Sequence, residues 1–455
     1  MRNLQIEQTQ IHALRPHRQN ARTHSRRQLR QIANSIRRFG FCNAILVDDD
    51  LTILAGHGRV EAAKLLGLTS VPTVRLSHLS EADKRAYVIA DNRLAEKAGW
   101  DRNLLAIELQ SLIDIGFEVE LTGFETPDID LLLDEALEAT GLSPADDQLP
   151  VIRSGAPTSR LGDLWVLGAH RLLCGDARAP ASYTRLLGGK AADLVFTDPP
   201  YNVCIDGHVS GRGRIRHGEF AMASGEMTEA EFIQFLSVTL GQAVAASRDG
   251  ALHYVCMDWR HLLELLSAGR EIYDGFLNLC VWNKNNGGMG SFYRSKHELV
   301  AVFKVGTAPY INNVELGRHG RNRTNVWDYP GVNTFRPGRI DELAMHPTVK
   351  PVALIADVIK DASRRSNLVL DPFAGSGSTI IAAEKTGRQA RALEIDPHYV
   401  DLIIRRWQSY TGTPALLDTT TTSFEDIAEQ RQAEAKVKPT AVEQLPSVHT
   451  PELQR

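Results

Sequence analysis

The first part of the chain alternates between the apolar spacing of helices and that of strands. Apolar side chains occupy positions 29, 32, 36 and 39, one face of a predicted helix that Gly40 ends. Short apolar runs then predict strands at 42–47, 51–55 and 71–75, and helical spacing returns between positions 81 and 136. This pattern predicts a small N-terminal α+β domain with trailing helices that pack on it.

From about Leu161 onward, predicted strands and helices alternate. A Thr-x-x-Glu capping box at Thr228 and Glu231 opens one helix, and the apolar run 251–256 follows it as a strand. The same alternation continues to about Thr411. Such alternation is typical of an α/β fold with a doubly wound, mostly parallel sheet.

These patterns divide the chain into four regions. Residues 1–138 form the predicted N-terminal domain, and 139–160 form a linker that is rich in Pro, Gly, Ser and Asp and has no apolar periodicity. Residues 161–412 form the second domain, and the polar stretch 413–455 is predicted to be a disordered tail.

Composition narrows the class of protein without changing this division. The 455 residues are 43% hydrophobic and 23% charged, values of an ordinary globular protein, and the net charge is -4. No run approaches the ~18 apolar residues of a membrane span, and the N terminus lacks the apolar core of a signal peptide. The five cysteines include no C-x-x-C pair, which disfavours disulfides and a zinc site. We therefore expect a cytoplasmic protein without a metal.

The first stretch with chemical content is TDPPYN at 197–202. It follows the apolar run 192–196, and two adjacent prolines neither continue a ladder nor begin a helix interior. The strand must therefore end in a stiff, extended loop that presents an acid and an aromatic ring. An ordinary strand-ending turn is the alternative interpretation.

The second stretch, DPFAGSGST at 371–379, also follows a predicted strand and enters a helix. Its Gly-x-Gly turn lets a ligand approach the backbone, and a helix N-terminus favours negative or polar ligand groups. A phosphate loop needs a Lys before Ser or Thr, and a dinucleotide fingerprint needs a third Gly where Ile380 stands. A nucleoside cofactor without a pyrophosphate remains. Glu394, which ends the next predicted strand, is suited to accept hydrogen bonds from its ribose hydroxyls.

TDPPY, DPFAGSGST and the segment ALEID at 392–396 resemble the motifs of amino-methylating DNA methyltransferases of the permuted beta type. The resemblance covers about 161–411 and implies the methyltransferase fold with S-adenosylmethionine as cofactor. It implies that the catalytic residues are Asp198, Pro199, Pro200 and Tyr201. The implied cofactor-binding residues are Asp371, Pro372, Phe373, Gly375, Gly377, Thr379 and Glu394, with Asp176 at the cofactor adenine and Lys350 at its methionine end.

This resemblance gives the TDPPY loop a chemical task. The exocyclic amine of adenine or cytosine is a poor nucleophile because its lone pair is delocalised into the ring. Hydrogen bonds to the Asp198 carboxylate and the rigid Pro199 carbonyl would direct that lone pair toward the methyl group. Tyr201 would stack on a base that has left the double helix. An acid at the first motif position is commoner among the adenine enzymes of this family, which favours adenine over cytosine.

Residues 202–345 are expected to contain the target-recognition region. The stretch 281–298 mixes aromatic, amide, glycine and basic residues, a composition suited to unpaired nucleotides and a phosphate backbone. The expected DNA contacts are Lys296, Arg318, Arg321 and Arg323. Double-stranded DNA is therefore the expected partner.

Residues 6–95 resemble the ParB/sulfiredoxin-like domain on the stretch ILAGHGRVEAAKLLG at 53–67. In that family a Gly-x-x-Arg turn at a helix start holds nucleotide phosphates, which indicates Gly56 and Arg59. His57 stands where a sulfiredoxin needs a catalytic Cys, which excludes that activity, and Gly58 stands where partition proteins carry a charge. The turn either binds a nucleotide or DNA or only shapes the backbone.

The resulting hypothesis is an S-adenosylmethionine-dependent DNA (adenine) methyltransferase with a ParB-like accessory domain. A cytosine amino-methylating enzyme is one alternative, and a ParB-like DNA-binding scaffold with an inactive methyltransferase half is another. The intact TDPPY and DPFAGSGST motifs argue against the scaffold. The sequence leaves open the recognition sequence, the formation of a homodimer and the existence of a restriction partner.

Overall fold

The computed structural model describes residues 4–139, 146–150, 155–202, 225–285, 287, 293–316, 322–331 and 349–437. The chain divides into two compact units, Met1–Leu142 and Ser143–Arg455. Two of the expected DNA contacts, Arg318 and Arg321, lie outside the described residues.

The first unit contains a four-stranded sheet built from short segments. In spatial order its strands are β1 (Ile6–Gln10), β4 (Ser70–Arg75), β2 (Ile45–Val47) and β3 (Ile53–Ala55). The β4 and β2 strands are parallel, and the two outer pairs are antiparallel. Apolar side chains of β2, β3 and β4 pack with Val60 and Ala63 in one core cluster. The predicted α+β domain is confirmed.

Helices surround this sheet. In the described part of the first unit they are α1 (Arg26–Phe39), α2 (His57–Leu65), α3 (Glu81–Glu96), α4 (Arg102–Asp114) and α5 (Thr126–Ala139). The α1 helix begins at Ser25, whose hydroxyl accepts from Gln28 N–H, and ends at Gly40 as predicted. The segment after α4 contacts α1 through the stacked rings of Phe117 and Phe39, 6.3 Å apart. That segment and the trailing helices also form a small core of their own, made of Leu109, Val119, Ile129 and Leu132.

The second unit is built on a ten-stranded sheet. In spatial order its strands are β11 (Val326–Asp328), β9 (Gly275–Asn283), β10 (His297–Lys304), β8 (Ser247–Met257), β7 (Ala192–Thr197), β12 (Leu368–Asp371), β13 (Gln389–Glu394), β6 (His170–Cys174), β5 (Leu164–Leu167) and β14 (Leu416–Leu417). The central strands from β8 to β6 are all parallel. Antiparallel pairs flank them on both sides. The predicted mostly parallel sheet is confirmed.

Helices cover both faces of this sheet, which makes it doubly wound. They are α6 (Pro180–Leu187), α7 (Glu229–Ala245), α8 (Leu262–Ile272), α9 (Val352–Ala362), α10 (Ser378–Thr386), α11 (Pro397–Thr411) and α12 (Phe424–Val437). Along β8, Tyr254 and Cys256 join the cluster that contains α9, α10 and α11 side chains. Val255 and Met257 join the cluster of α7 and α8 on the opposite face. The predicted capping box of Thr228 and Glu231 opens α7.

Several described residues of the linker predicted at 139–160 are bonded within the second unit. Asp146 forms an ion pair with Lys385 at 2.6 Å. The backbone N–H groups of Thr158 and Ser159 donate to the Asp401 carboxylate at 2.6 and 2.9 Å. Polar contacts of this kind join segments that are distant in sequence, and they produce no apolar periodicity. The sequence of the segment therefore did not predict them.

The prediction of a disordered tail at 413–455 is wrong for residues 416–437. Leu416 and Leu417 pair with β5, and the α12 helix follows. Phe424 is fully buried, with its ring 5.3 Å from that of Trp165 in an edge-on arrangement. This apolar anchor outweighs the polar composition of its surroundings. Residues 438–455 lie outside the described residues.

Candidate active site

Four neighbouring parallel strands of the second unit end in acidic residues. In spatial order the strands are β7, β12, β13 and β6, and the acids at or just after their ends are Asp198, Asp371, Glu394 and Asp176. Parallel pairing brings the carboxyl ends of these strands to one edge of the sheet, the edge where α/β folds bind ligands. The TDPPY and DPFAGSGST motifs, far apart in the sequence, therefore meet.

Two donors hold the Asp198 carboxylate in the loop after β7. The Tyr201 hydroxyl donates to Asp198 Oδ1, and the Lys350 ammonium contacts Asp198 Oδ2. Pro199 is buried and Pro200 is half-buried. Their rings fix φ, so the loop is stiff in the way the sequence predicts.

Asn202 anchors the end of this loop, a role that sequence analysis did not foresee. Its backbone is left-handed, with φ 54°. The side-chain amide donates to Met227 O at 2.8 Å and accepts from Met227 N–H at 3.1 Å. An Asn is one of the few residues that adopt this conformation readily. The loop is therefore fixed to the segment that precedes α7.

Lys350 lies against the loop that contains Asp198 and Tyr201. Its side chain is 6% exposed, and its ammonium contacts Asp198, Glu298 Oε2 at 2.9 Å and the Tyr201 hydroxyl at 3.2 Å. A lysine ammonium has three N–H donors, and these oxygens satisfy all three. The Lys350 ammonium is therefore bonded to Asp198, Tyr201 and Glu298, and its role at the methionine end of the cofactor stays a prediction.

The hairpin of β9 and β10 supplies residues to which sequence analysis gave no individual role. Glu298 lies opposite Trp282 in the register of the hairpin. The Lys284 ammonium contacts Glu298 Oε1 and lies 4.5 Å from the centre of the Trp282 ring. Trp282 is 2% exposed, so its ring belongs to the interior. The mixture of bases and aromatics at 281–298 was the sequence signal, and it reflects in part this buried arrangement.

Burial and ion pairing set the protonation of this cluster. Burial raises the pKa of Asp198, with the Lys350 ammonium opposing the rise and Glu298 adding to it. Burial also acts to raise the pKa of Glu298, but the ammonium groups of Lys350 and Lys284 outweigh it and lower that pKa to about 2. The pKa of Lys350 is raised, because Asp198 and Glu298 outweigh its burial. Glu298 and Lys350 are therefore charged at neutral pH, and Asp198 is a stronger proton acceptor than an ordinary aspartate.

The turn after β12 is organised from within by Asp371. Its Oδ2 accepts from the Thr379 hydroxyl at 2.6 Å and its Oδ1 from Phe373 N–H at 3.1 Å. Burial raises the pKa of Asp371 to about 6. Both Asp371 and Thr379 are buried, as is Pro372, whereas Phe373 is half-buried. Asp371 and Thr379 thus shape the turn more than they line it.

Gly377 lets the turn after β12 pack closely against the α11 helix. It precedes α10 with φ 81°, a conformation that residues with a side chain rarely adopt. A Cβ at this position would lie 2.9 Å from Ile403 Cγ2. The glycine is therefore needed for the backbone of the turn itself.

Glu394 faces the same turn from the end of β13. Its Oε2 accepts from Gly375 N–H and its Oε1 from Asp396 N–H, both at 2.9 Å. Burial raises the pKa of Glu394 to about 7, although these backbone donors oppose the rise. Each carboxylate oxygen keeps a further lone pair for a ligand hydroxyl.

Arg406 supports the glycine turn from the α11 helix, and sequence analysis did not identify it. Its guanidinium is 3% exposed and donates to Ser376 O at 2.9 Å, to Ser378 Oγ at 3.1 Å and to Asp146 O at 2.8 Å. A buried arginine with several acceptors fixes the backbone between them. The segment around Asp146 therefore contributes to the rigidity of the turn.

Asp176 closes the row of acids at the end of β6. Its carboxylate accepts from Arg178 N–H at 2.8 Å and from the Arg178 guanidinium, also at 2.8 Å for the shortest contact. The side chain is 30% exposed. Asp176 is thus an accessible acid at this edge, with Arg178 as its neighbour.

The expected DNA contacts that lie in the described chain differ from each other. Lys296 is exposed just before β10. Arg323 is 19% exposed and is bonded to Asp357 at 2.9 Å and to Asp361 at 2.7 Å, with the Tyr329 hydroxyl nearby. The prediction of Arg323 as a DNA contact is therefore not supported, because its charge is satisfied inside the second unit.

The Gly56–Arg59 turn of the first unit is held by its own backbone. Gly56 has φ 102°, and a Cβ there would lie 2.7 Å from Ile45 Cδ1. The Arg59 guanidinium donates to Asn43 O at 2.6 Å and Ala44 O at 3.0 Å. These contacts agree with the interpretation in which the turn shapes the backbone.

Within the described ranges, no cluster of three or more His, Cys, Asp or Glu side chains is arranged to hold a metal ion. A search of the same ranges finds no helix whose length and apolar character would let it cross a membrane.

Three known families match successive parts of the chain. The family described as DNA methylase matches residues 192–405. The ParB-methyltransferase HTH domain matches residues 103–161, and the ParB N-terminal domain matches residues 1–93. The HTH match includes α4 and α5, which sequence analysis described only as trailing helices.

Individual relatives agree with this assignment. The DNA adenine methyltransferase YhdJ of Escherichia coli (strain K12) is 24% identical over 282 residues, which cover 56% of this chain and 87% of YhdJ. The ParB-like nuclease domain-containing protein YnaK of the same organism is 44% identical over 82 residues, 18% of this chain and 94% of YnaK. Among solved structures, the PvuII DNA methyltransferase (cytosine-N4-specific) matches with a TM-score of 0.41 and 16% identity, covering 63% of this chain and 97% of that one. The chain contains an N6/N4 DNA methylase domain together with a ParB N-terminal domain and a ParB-methyltransferase HTH domain.

Proposed function

We propose that this protein transfers a methyl group from S-adenosylmethionine to the exocyclic amine of adenine in double-stranded DNA. The observation that carries the proposal is the shared strand edge. The Asp198-Pro199 loop follows β7, and the glycine turn and Glu394 follow the next two strands, β12 and β13. Acceptors for an amine and a site for a nucleoside are thereby adjacent, as methyl transfer between two bound molecules requires.

The residues at the ends of β12, β13 and β6 fit this cofactor. Gly375 and Gly377 leave the backbone bare where the turn meets the start of α10, and Glu394 keeps lone pairs for ribose hydroxyls. Asp176, just after the end of β6, is an accessible acceptor for the amine of the cofactor's adenine. When bound, S-adenosylmethionine supplies a methyl group made electrophilic by a positive sulfonium, and the acidic edge complements that charge.

Asp198 and Pro199 would act on the nucleophile. The Tyr201 and Lys350 donors occupy one position on each Asp198 oxygen, which leaves lone pairs for a base amine. Hydrogen bonds from that amine to Asp198 and to the fixed Pro199 carbonyl would localise its lone pair toward the methyl group. The raised pKa of Asp198 suits it to take up the proton that the amine releases.

The target base must leave the double helix to reach these acceptors. The Tyr201 ring is half-buried beside Asp198, and it is the aromatic surface on which that base would stack. Its hydroxyl is held by Asp198 and Lys350, so the ring is placed before a base arrives. Aromatic stacking of this kind stabilises an unpaired base by roughly 1–3 kcal/mol.

Adenine is the proposed base because the motif opens with Asp198 and because the relative YhdJ is named as an adenine methyltransferase. The acceptors Asp198 and Pro199 would serve either amine, so the pocket around them must select the base. The cytosine amine is the alternative within the same chemistry.

The proposal is tested by incubating the purified full-length protein with double-stranded DNA and S-adenosylmethionine that carries a radioactive methyl group. DNA that has become labelled is hydrolysed to nucleosides, and the label is expected in N6-methyladenine. Label only in N4-methylcytosine would contradict the choice of base. An absence of label in DNA under saturating cofactor would contradict the methyl transfer itself and favour the DNA-binding scaffold.

A further inference from the structure

Four charged side chains form a cluster at the Asp198–Tyr201 loop, and the proposed methyl transfer uses only that of Asp198. Asp198 is the proposed acceptor, yet the buried Lys350 ammonium and the half-buried Glu298 and Lys284 side chains lie beside it. Buried charges are costly unless each is paired and hydrogen-bonded. Their arrangement therefore calls for a function.

Among the described residues, three oxygen acceptors and two aromatic rings surround the Lys350 ammonium. Its three donors are taken by Asp198, Glu298 and Tyr201, and the rings of Tyr201 and Trp282 lie 5.5 and 5.9 Å from Nζ. A lysine normally has a flexible four-carbon stem and a mobile head. Here the head is fixed, and with it one oxygen of the Asp198 carboxylate.

Glu298 is the second carboxylate that holds the Lys350 ammonium, besides that of Asp198. It lies on β10, paired with Trp282 across the hairpin, whereas Asp198 follows β7. Lys284 neutralises the other oxygen of Glu298, so this carboxylate remains ionised and in place. The order Lys284, Glu298, Lys350, Asp198 is thus a chain of alternating charges that ends at the reacting amine.

We propose that Glu298 is a positioning residue for methyl transfer, which acts through Lys350 to hold the Asp198 carboxylate in the orientation that receives the base amine. This inference rests on the proposed function of Asp198. The two binding steps, of cofactor and of DNA, do not use Glu298. Its loss should therefore lower the rate of transfer and leave binding intact, because misplacement of a reacting group by about 1 Å costs on the order of 10²-fold.

The experiment compares the full-length wild type with Glu298→Gln, Glu298→Asp, Lys350→Met and the double variant Glu298→Gln/Lys350→Met. Glu264→Gln is the matched control, since Glu264 and Glu298 are both 12% exposed and Glu264 is paired with His261 on α8. Single-turnover methyl transfer, cofactor affinity and DNA affinity are measured for each protein. If Lys350→Met does not fold, Lys350→Arg takes its place in the cycle.

Glu298→Gln is expected to lower the single-turnover rate roughly 10- to 100-fold with both affinities changed less than twofold. Glu298→Asp, which keeps the charge, should recover part of that loss, and Glu264→Gln should stay within twofold of the wild type. The double variant should be no slower than Lys350→Met alone, because the two residues act as one unit. A Glu298→Gln enzyme with the wild-type rate, or losses that multiply in the double variant, would overturn the inference.

Thermal unfolding of the same proteins gives a readout that does not depend on activity. The melting-temperature losses of Glu298→Gln and Lys350→Met should be non-additive, and additive losses would show that the contact between them is not formed. A wild type that transfers no methyl group would refute the proposed function, and with it the positioning role. A wild type that is active beside an unaffected Glu298→Gln variant would refute the positioning role alone.

Discussion

The two units each contain a strand that ends in a glycine turn and enters a helix, and the surroundings of the two turns differ. In the first unit Gly56 has φ 102°, and Arg59 spends two of its donors on the carbonyls of Asn43 and Ala44. In the second unit Gly377 has φ 81°, and the partial burial of Glu394 beside the turn raises its pKa to about 7. The charged side chain beside the first turn is thus bonded to nearby carbonyls. The acid beside the second turn accepts two backbone N–H groups and keeps lone pairs for a ligand.

The difference separates a turn with a structural role from a turn that is a candidate binding site. A turn whose charged side chain is bonded to nearby backbone carbonyls is a stable structural element. A turn beside a half-buried acid with a perturbed pKa is a candidate site for a ligand. Variants at both turns and at Asp198 test this distinction.

The largest effect is expected at Asp198. Asp198→Asn keeps the shape of the side chain and removes the negative charge that receives the amine, so methyl transfer should fall roughly 10²- to 10⁴-fold. Asp193→Asn, on the β7 strand that precedes Asp198, is the matched control, because the two side chains are 20% and 19% exposed and Asp193 is paired with Arg248. Single-turnover assays with the cofactor affinity measured in parallel check this prediction. Substantial activity in Asp198→Asn would remove Asp198 from the catalytic role.

Glu394→Ala should weaken binding of S-adenosylmethionine by about 1.5–3 kcal/mol, the range for hydrogen bonds to a charged group. The measurement is isothermal titration calorimetry on the folded variant. Asp396→Ala serves as its control, since Asp396 caps α11 two residues away through His398 N–H. Equal affinity in Glu394→Ala and the wild type would show that this acid lies outside the cofactor site.

The raised pKa of Glu394 also predicts a dependence of stability on pH. The folded protein holds a proton on Glu394 up to about pH 7, whereas an unfolded glutamate loses it near the ordinary value of 4.5. The folded state binds more protons between these two values, so this group's contribution to the free energy of unfolding falls as the pH rises from about 4.5 to about 7. Glu394→Gln should flatten the profile measured by denaturant unfolding at pH 5, 6 and 7. Parallel profiles for the two proteins would contradict the burial of an ionisable group there.

Gly377→Ala tests the backbone of the turn. The added Cβ would meet Ile403 at 2.9 Å in a left-handed conformation, so we expect a loss of roughly 1–3 kcal/mol in the free energy of unfolding. Gly412→Ala is the control, because Gly412 has φ 70° and nothing lies within 4 Å of its Cβ position. Chemical denaturation of both variants separates steric strain from the cost of a positive φ. Equal losses in the two would show that contact with Ile403 is unimportant.

The smallest effect is expected in the first unit. Arg59→Met removes hydrogen bonds to Asn43 O and Ala44 O and should lower the free energy of unfolding by roughly 1 kcal/mol. The rate of methyl transfer should change less than twofold. Arg75→Met is the control, since Arg75 bonds one carbonyl and its side chain is 39% exposed. A Arg59→Met variant of full stability that has lost methyl transfer would show that the turn serves the reaction.

Local patterns predicted much of this fold because the responsible residues are close in sequence. The helix at 26–39 follows from apolar spacing and a terminal glycine, and the capping box at Thr228 appears in the structure as expected. The strand-ending acids Asp198, Asp371 and Glu394 were also identified, because each ends an apolar run. Whether these acids act as proposed is a separate question, which the variants above address.

The rest could not be predicted because it depends on contacts between distant segments. Glu298 joins the site only through the strand order that places β10 two strands from β7. The charge of Arg323 resembles that of a DNA contact until Asp357 and Asp361 of α9 are seen beside it. The burial of Phe424 against Trp165 likewise required the fold, since no local period announces it.

The central claim is that Asp198 serves the methylation of a base amine, and the DNA of a living cell tests it most directly. Wild type and Asp198→Asn are expressed at equal levels in a host that lacks DNA methylation, and the nucleosides of the host DNA are quantified by mass spectrometry. We expect N6-methyladenine with the wild type and a much smaller amount with Asp198→Asn. Equal methylation by the two proteins, or no amino-methylated base with a folded, cofactor-binding wild type, would contradict it.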